Sequence, residues 1–182
     1  MRKKPVLTNV KDIATTRFFN IQSMDVEFSN GEKRQYERLK PPGEGAVLVI
    51  PVLDDDTVLM IYEYSGGTDK YELTLTKGKI DKGESPIEAA NRELIEEIGY
   101  GSKNLELIKT MTLAPGYQSN FTHIVLARDL YEASSADGDE PEPLEVVRHK
   151  FSELETLVYN EDLTEARTIA ALYMAKAIIK NQ

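Results

Sequence analysis

Glu93, Glu96 and Glu97 stand at i, i+3 and i+4, with Arg92 beside them. Set on an α-helix at roughly 100° per residue, the three carboxylates share about a third of the circumference. Like charges at that spacing repel and destabilise an isolated helix. They also fall near the C-terminal end, where the helix dipole disfavours negative charge. Two readings of the cluster are open. One is a solvated acidic face. The other is a site for hard divalent cations, which take oxygen ligands and would relieve the repulsion.

The helix itself is punctuated at both ends. Ser85 can cap the first free N–H groups, Pro86 suits the N1 position, and Glu88 completes a capping box. Gly99 is a natural stop, because the left-handed residue after a helix is commonly Gly. Ile87, Ala90, Leu94 and Ile98 gather on one side and are expected to face the core. Upstream, a Gly-rich turn from Gly78 to Gly83 brings a further carboxylate, Glu84, to the helix start.

Around this helix the chain reads mostly as strands. Residues 16–39 suggest two strands, containing Phe18, Phe19, Ile21, Val26 and Phe28 and then Tyr36 and Leu39, joined at Asn30-Gly31, a strong hairpin signal. This unit is too small to bury a core alone, so it must lie on the main domain or on a second subunit. Pro41-Pro42-Gly43 marks a boundary, giving an N-terminal β subdomain over 1–44 and a main domain over 45–182. The run at 46–53 is almost wholly apolar, as a strand buried on both faces would be. Asp54-Asp55-Asp56 reads as a turn, since the Gly and distal Glu of a calcium loop are missing. Further strands are expected at 58–64, 71–75, 105–111, 122–127 and 144–151, with a polar acidic loop at 134–143. A capping box at 162–165 should open a C-terminal helix, reaching about Lys180, with Leu163, Ala166, Ala170, Tyr173 and Ala177 as its core stripe. A mixed sheet with these two helices is α+β in class and predicts an α/β/α sandwich with an N-terminal β-hairpin subdomain.

Composition removes several function classes. The 182 residues suit one domain with a sizeable core, and 41% hydrophobic with 29% charged residues is ordinary for a globular protein. The net charge of −9 argues against non-specific binding of nucleic acid or an acidic membrane surface, so neither is an expected partner. The lack of cysteine excludes thiolate catalysis and Cys-based zinc sites. Neither a signal peptide nor a membrane-spanning run is visible, which makes the cytoplasm the default compartment. No GxSxG elbow, HExxH pair or P-loop is present. The two histidines, His123 and His149, fall in predicted strands and read as surface or edge positions. A carboxylate-held metal site remains.

The stretch 78–100 resembles the signature of the Nudix hydrolases: Gly, five residues, Glu, seven residues, then Arg-Glu-aliphatic-any-Glu-Glu-any-Gly-aliphatic. Gly78, Glu84, Arg92, Glu93, Leu94, Glu96, Glu97 and Gly99 fall in register, and Tyr100 is the one departure. The resemblance implies a Nudix fold and hydrolysis of a nucleoside diphosphate linked to another group, with Mg²⁺, or Mn²⁺ in its place. It implies Glu93 and Glu97 as principal metal ligands, with Glu96 and the backbone carbonyl of Lys77 in support. Arg92 would orient the carboxylates by bidentate contacts through Glu84. Gly78, Glu84 and Gly99 would be its structural positions. The catalytic base in such enzymes is a box glutamate such as Glu93, or an acid on a later loop, here Glu140 or Glu142.

Outside the signature the chain is similar to the ADP-ribose pyrophosphatase-like branch. Pro115-Gly116 lies about fifteen residues past the signature, followed by Tyr117. Tyr71-Glu72-Leu73 looks like that branch's Trp-Glu-Leu strand. Glu72, Pro115, Gly116 and Tyr117 are therefore implied to bind substrate, and the N-terminal hairpin to form a homodimer. Departures at Glu63-Tyr64-Ser65, Thr76-Lys77 and Gln118-Ser119-Asn120 suit a broader range of small-molecule substrates. As a whole the chain resembles the family's hydrolases of ADP compounds, which implies action on ADP-ribose, diadenosine polyphosphates and NADH, with AMP released. The alternatives are a diadenosine polyphosphate hydrolase and a nucleotide sensor that binds without cutting.

Overall fold

The computed structural model describes residues 3–41, 43–134, 141–160 and 163–181. The apolar run becomes β4 (Ala46–Pro51), and its alternation explains the architecture. Leu48 and Ile50 point to one side, Val47 and Val49 to the other, and all four are fully buried. The first pair joins a core with Met60, Leu73, Leu75, Ile124 and Leu126 under α3 (Ala166–Lys180). The second pair joins a core with Ile61, Val125 and the buried face of α1 (Pro86–Ile98), formed by Ala89, Ala90, Leu94 and Ile98. One helix therefore covers each side, which is the α/β/α sandwich expected from the sequence.

Two sheets lie between the helices. One runs in the order β7 (Lys77–Lys79), β4, β9 (Phe121–Glu132), β8 (Tyr100–Thr112), with β4 and β9 parallel and the other pairs antiparallel. The other is antiparallel, in the order β10 (Glu145–Lys150), β5 (Thr57–Ser65), β6 (Lys70–Thr74). Asp54 closes the turn before β5 by accepting from the N–H groups of Asp56 and Thr57. No helix among the described residues is long and apolar enough to cross a membrane.

The N-terminal hairpin, β2 (Asn20–Glu27) with β3 (Lys33–Lys40), is present and gains a third strand, β1 (Val6–Thr15). That strand was invisible in the sequence because it has two register shifts and is exposed along its whole length, so burial imposes no alternation on it. Phe18 and Phe19 are corrected from strand to turn: Thr16 Oγ1 accepts from the Phe19 N–H at 2.9 Å and reverses the chain there.

The C-terminal helix also needs correction. It starts at Ala166, and its N-cap is Glu165, whose side chain accepts from the Thr168 N–H. Asp162 lies outside the described residues. The expected stripe is displaced: Ala166, Tyr173 and Ala177 are exposed, and Thr168, Ala171, Leu172 and Ala175 form the buried face. Leu163 is buried but precedes the helix, so a pattern counted from it starts out of phase. Phe151 leaves the last strand for a short 3₁₀ turn, followed by an unexpected helix, α2 (Leu154–Tyr159).

Candidate active site

Helix α1 is built as its ends require. Ser85 Oγ accepts from the Glu88 N–H, and Glu88 accepts from the Ser85 N–H at 2.8 Å. Gly99 closes the helix at φ 71°. With Ala89, Ala90, Leu94 and Ile98 in the core, the acidic edge of α1 is turned towards β7, the strand that carries Lys77, Gly78 and Lys79.

Arg92 organises this junction. A guanidinium has five N–H donors, and here all five are used. Nε and Nη2 each bond a Glu84 oxygen at 3.0 Å, Nη1 bonds Glu93 at 2.8 Å and Glu96 at 3.0 Å, and Nη2 also bonds the Lys79 carbonyl at 3.0 Å. Arg92 is accordingly held well above its usual range, chiefly by the Glu84 hydrogen bonds. The same bonds hold Glu84 below the ordinary carboxylate range. Glu84 is further pinned by accepting from the Asp81 N–H.

Glu97 lies on the other side of the cluster. One of its oxygens accepts from the Lys77 N–H at 3.3 Å, and the Lys77 ammonium is paired with Glu63. Burial of the Glu97 carboxyl pushes its pKa up to about 8, and the charges of Glu93 and Glu63 add to this against the opposing effect of Lys77. A carboxylate kept from water beside two others is a poor anion by itself and a good partner for a cation. With every group ionised, Glu63, Glu84, Glu93, Glu96 and Glu97 outweigh Arg92 and Lys77 by three negative charges. The donors are all oxygen, which suits Mg²⁺ or Mn²⁺. Among the described residues, no three acidic or imidazole groups converge as a ready ligand set, since Arg92 draws Glu93 and Glu96 aside while Glu97 turns to Lys77.

The raised Glu97 pKa has a measurable consequence. Between pH 4.5 and about 8 the folded chain holds the Glu97 proton more tightly than the unfolded chain does. Stability of EDTA-treated protein should therefore fall as pH rises through that window, by at most about 1.4 kcal/mol per pH unit from this group. Denaturant midpoints at pH 5.5 and 8.5, compared with those of Glu97→Gln, isolate the effect. Equal slopes in the two proteins would remove the explanation.

The other expected site residues lie in several places. Glu72, on β6, accepts from Thr164 Oγ1 at 3.1 Å and is paired with Lys70 at 3.4 Å. Glu142 accepts the Tyr71 hydroxyl, which pushes the Tyr71 phenol up. Glu140 lies outside the described residues. Pro115, Gly116 and Tyr117 border a cavity of about 410 Å³ against the N-terminal sheet, together with Tyr36. Their loop is tied to β3 by the Leu39 N–H, which donates to the Tyr117 carbonyl at 2.7 Å. A separate cleft of about 490 Å³ has Lys79 in its wall and includes Phe18, Phe19 and Phe121. His123 is corrected from an edge or surface position: it is half-buried in β9, between β4 and β8, with Nδ1 3.0 Å from Thr110 Oγ1. His149 does lie on an edge strand, β10.

Sequence reasoning missed the roles of Glu63 and Lys79. The signal for Glu63 was an acid within an otherwise apolar and aromatic strand. Lys79 contributes its backbone carbonyl, which no residue type announces.

The sequence and the fold have close counterparts. Residues 5–38 match the NudE-type Nudix hydrolase N-terminal domain, and residues 44–173 match the NUDIX domain. The chain is 46% identical over 180 residues to the ADP compounds hydrolase NudE of Escherichia coli (strain K12), covering 99% of this chain and 96% of that protein. It is 30% identical over 163 residues to the ADP-ribose pyrophosphatase of Bacillus subtilis (strain 168), covering 89% and 87%. A crystal structure of an ADP compounds hydrolase superposes with a TM-score of 0.92 at 44% identity, covering 100% of this chain and 97% of that one. With both of its parts matched and its signature residues gathered at one junction, the chain belongs to the Nudix hydrolases, in their NudE-type branch, and is a pyrophosphohydrolase of that family.

Proposed function

We propose that this enzyme hydrolyses the pyrophosphate bond of ADP-linked compounds, namely ADP-ribose, diadenosine polyphosphates and NADH, releasing AMP, with Mg²⁺ or Mn²⁺ as cofactor. The observation that carries the reading is the excess of carboxylates between α1 and β7, with Glu97 desolvated among them. The similarity to enzymes named for ADP compounds and for ADP-ribose supports the substrate class.

Glu93 and Glu97 are the principal metal ligands in this reading, with Glu96 and the Lys77 carbonyl completing the set. When bound, a divalent ion would neutralise charge on the phosphates and make a bound water easier to deprotonate. Arg92 keeps the acidic edge of α1 in position from the far side. For the base we favour Glu93, which stands at the junction, over Glu142, which is bonded to Tyr71 on β6. The cleft beside Lys79 suits the nucleoside, with Phe18 or Phe19 to stack on adenine.

We extend the reading to a homodimer formed through the N-terminal subdomain of residues 1–44. Its β1 exposes Val6, Leu7, Val10 and Ile13, each 43–57% accessible, apolar surface of which a second copy would cover part. The cytoplasm, where such nucleotides are held, is the compartment that fits. The test is a panel of ADP-ribose, NADH and diadenosine triphosphate with products separated by chromatography. AMP should appear with Mg²⁺, vanish with EDTA and return with added Mg²⁺ or Mn²⁺. No AMP above the EDTA blank from any of the three would end the proposal.

A further inference from the structure

The cleft beside Lys79 differs in charge from the rest of the chain. The protein has 31 acidic residues against 22 basic ones. Of the sixteen residues lining this cleft, four are cationic, Arg17, Lys40, Lys79 and Arg167, and none is acidic. A low-dielectric recess of one sign concentrates ligands of the other.

Arg167 is the only one of the four from α3. It sits in that helix's first turn, where a cation opposes the dipole. Glu165 offsets the cost and fixes the side chain. Its Oε1 accepts from Arg167 Nε at 2.7 Å, while its Oε2 accepts from the Thr168 N–H at 2.8 Å and from Thr168 Oγ1 at 2.9 Å. With its single hydrogen on Glu165, the buried Thr168 hydroxyl accepts from Thr74 Oγ1 at 3.0 Å and from the Leu75 N–H at 3.4 Å. The guanidinium is thus anchored by its inner edge, through Glu165 and Thr168, to the end of β6 at Thr74, three residues before Lys77. Its terminal nitrogens have no protein partner among the described residues, and the side chain keeps 25% of its surface accessible. A planar fork held at one edge, with the other facing an acid-free cleft, fits phosphate oxygens.

We propose that Arg167 is a substrate-binding residue whose guanidinium grips a phosphate of the ADP-linked substrate. The proposal rests on the function proposed above and adds a contact from the C-terminal helix. Loss of one charge-assisted contact made in ground state and transition state alike raises KM and spares kcat. In Arg167→Ala, KM for ADP-ribose should rise about tenfold or more with kcat within about threefold, and Arg167→Lys should recover part of the loss. Inhibition by inorganic pyrophosphate should weaken in parallel, and inhibition by adenosine should not change. Arg167→Gln, which keeps the aliphatic stem, is read in the same way should the Ala variant not fold. KM within twofold of wild type, or adenosine weakened as much as pyrophosphate, overturns the assignment. Wild-type protein inert towards ADP-ribose would count against the proposed function instead. Calorimetry of pyrophosphate with wild type and Arg167→Ala would then decide the role of Arg167 alone, with equal affinities overturning it.

Discussion

Glu97→Gln should lower kcat/KM for ADP-ribose by about a thousandfold or more, a loss of roughly 4 kcal/mol in transition-state stabilisation. The substitution changes little else. Gln has the same shape, and its carbonyl oxygen can still accept from the Lys77 N–H. What disappears is a charge that is desolvated and crowded by Glu93 and Glu63. The variant should therefore be the more stable protein at pH 9 in EDTA, while millimolar Mg²⁺ should raise the Tm of wild type and not that of the variant. Lost activity with gained stability is the signature of a group kept for function at the fold's expense. Activity within tenfold of wild type would show that Glu97 holds no essential cation.

The second large effect comes from a residue with no side chain. A Cβ built on Gly78 would overlap the Glu93 carboxylate. Neither backbone can retreat easily: Gly78 is in β7, paired with Val47 of β4, and the Glu93 Cα is fixed by the helix register that buries Ala90 and Leu94, so only the end of the Glu93 side chain is free to move. In Gly78→Ala the cheapest escape is rotation of Glu93 out of the site, which breaks its bond to Arg92. We expect a loss of about a hundredfold in kcat/KM with a small change in Tm. A double-mutant cycle separates this from general damage. Once Glu93→Ala has removed the obstacle, adding Gly78→Ala should cost almost nothing further. If the two losses instead multiply, the clash is not the cause.

The parts of this protein legible in the sequence are those in which one local rule acts alone. Ser85, Glu88 and Gly99 bound α1 through bonds that span three to five residues, with Pro86 filling the first position where no donor is needed. The apolar run of β4 needed only two buried faces to be read. β1 was not legible, because it is held by pairing with β2 and not by burial. The phase of α3 was lost because its buried face includes a polar residue, Thr168, whose partners Thr74 and Leu75 are more than ninety positions away. The acidic edge of α1 could be read as a cluster, but the bonds from the Lys77 N–H to Glu97 and from Arg92 to the Lys79 carbonyl, and the Lys77–Glu63 pair beside them, depend on β5 and β7 coming alongside it. Side chains that meet only through tertiary packing leave no periodic trace.

Arg92 reaches three separate stretches of chain: the Lys79 carbonyl on β7, Glu84 before the helix, and Glu93 and Glu96 within it. A secreted protein would often fasten such a crossing with a disulfide, and this chain has no sulfur for that purpose. A fully engaged guanidinium acts as the staple here. It needs no oxidant to form and no reductant can cut it, so the junction should be indifferent to the redox state of its surroundings.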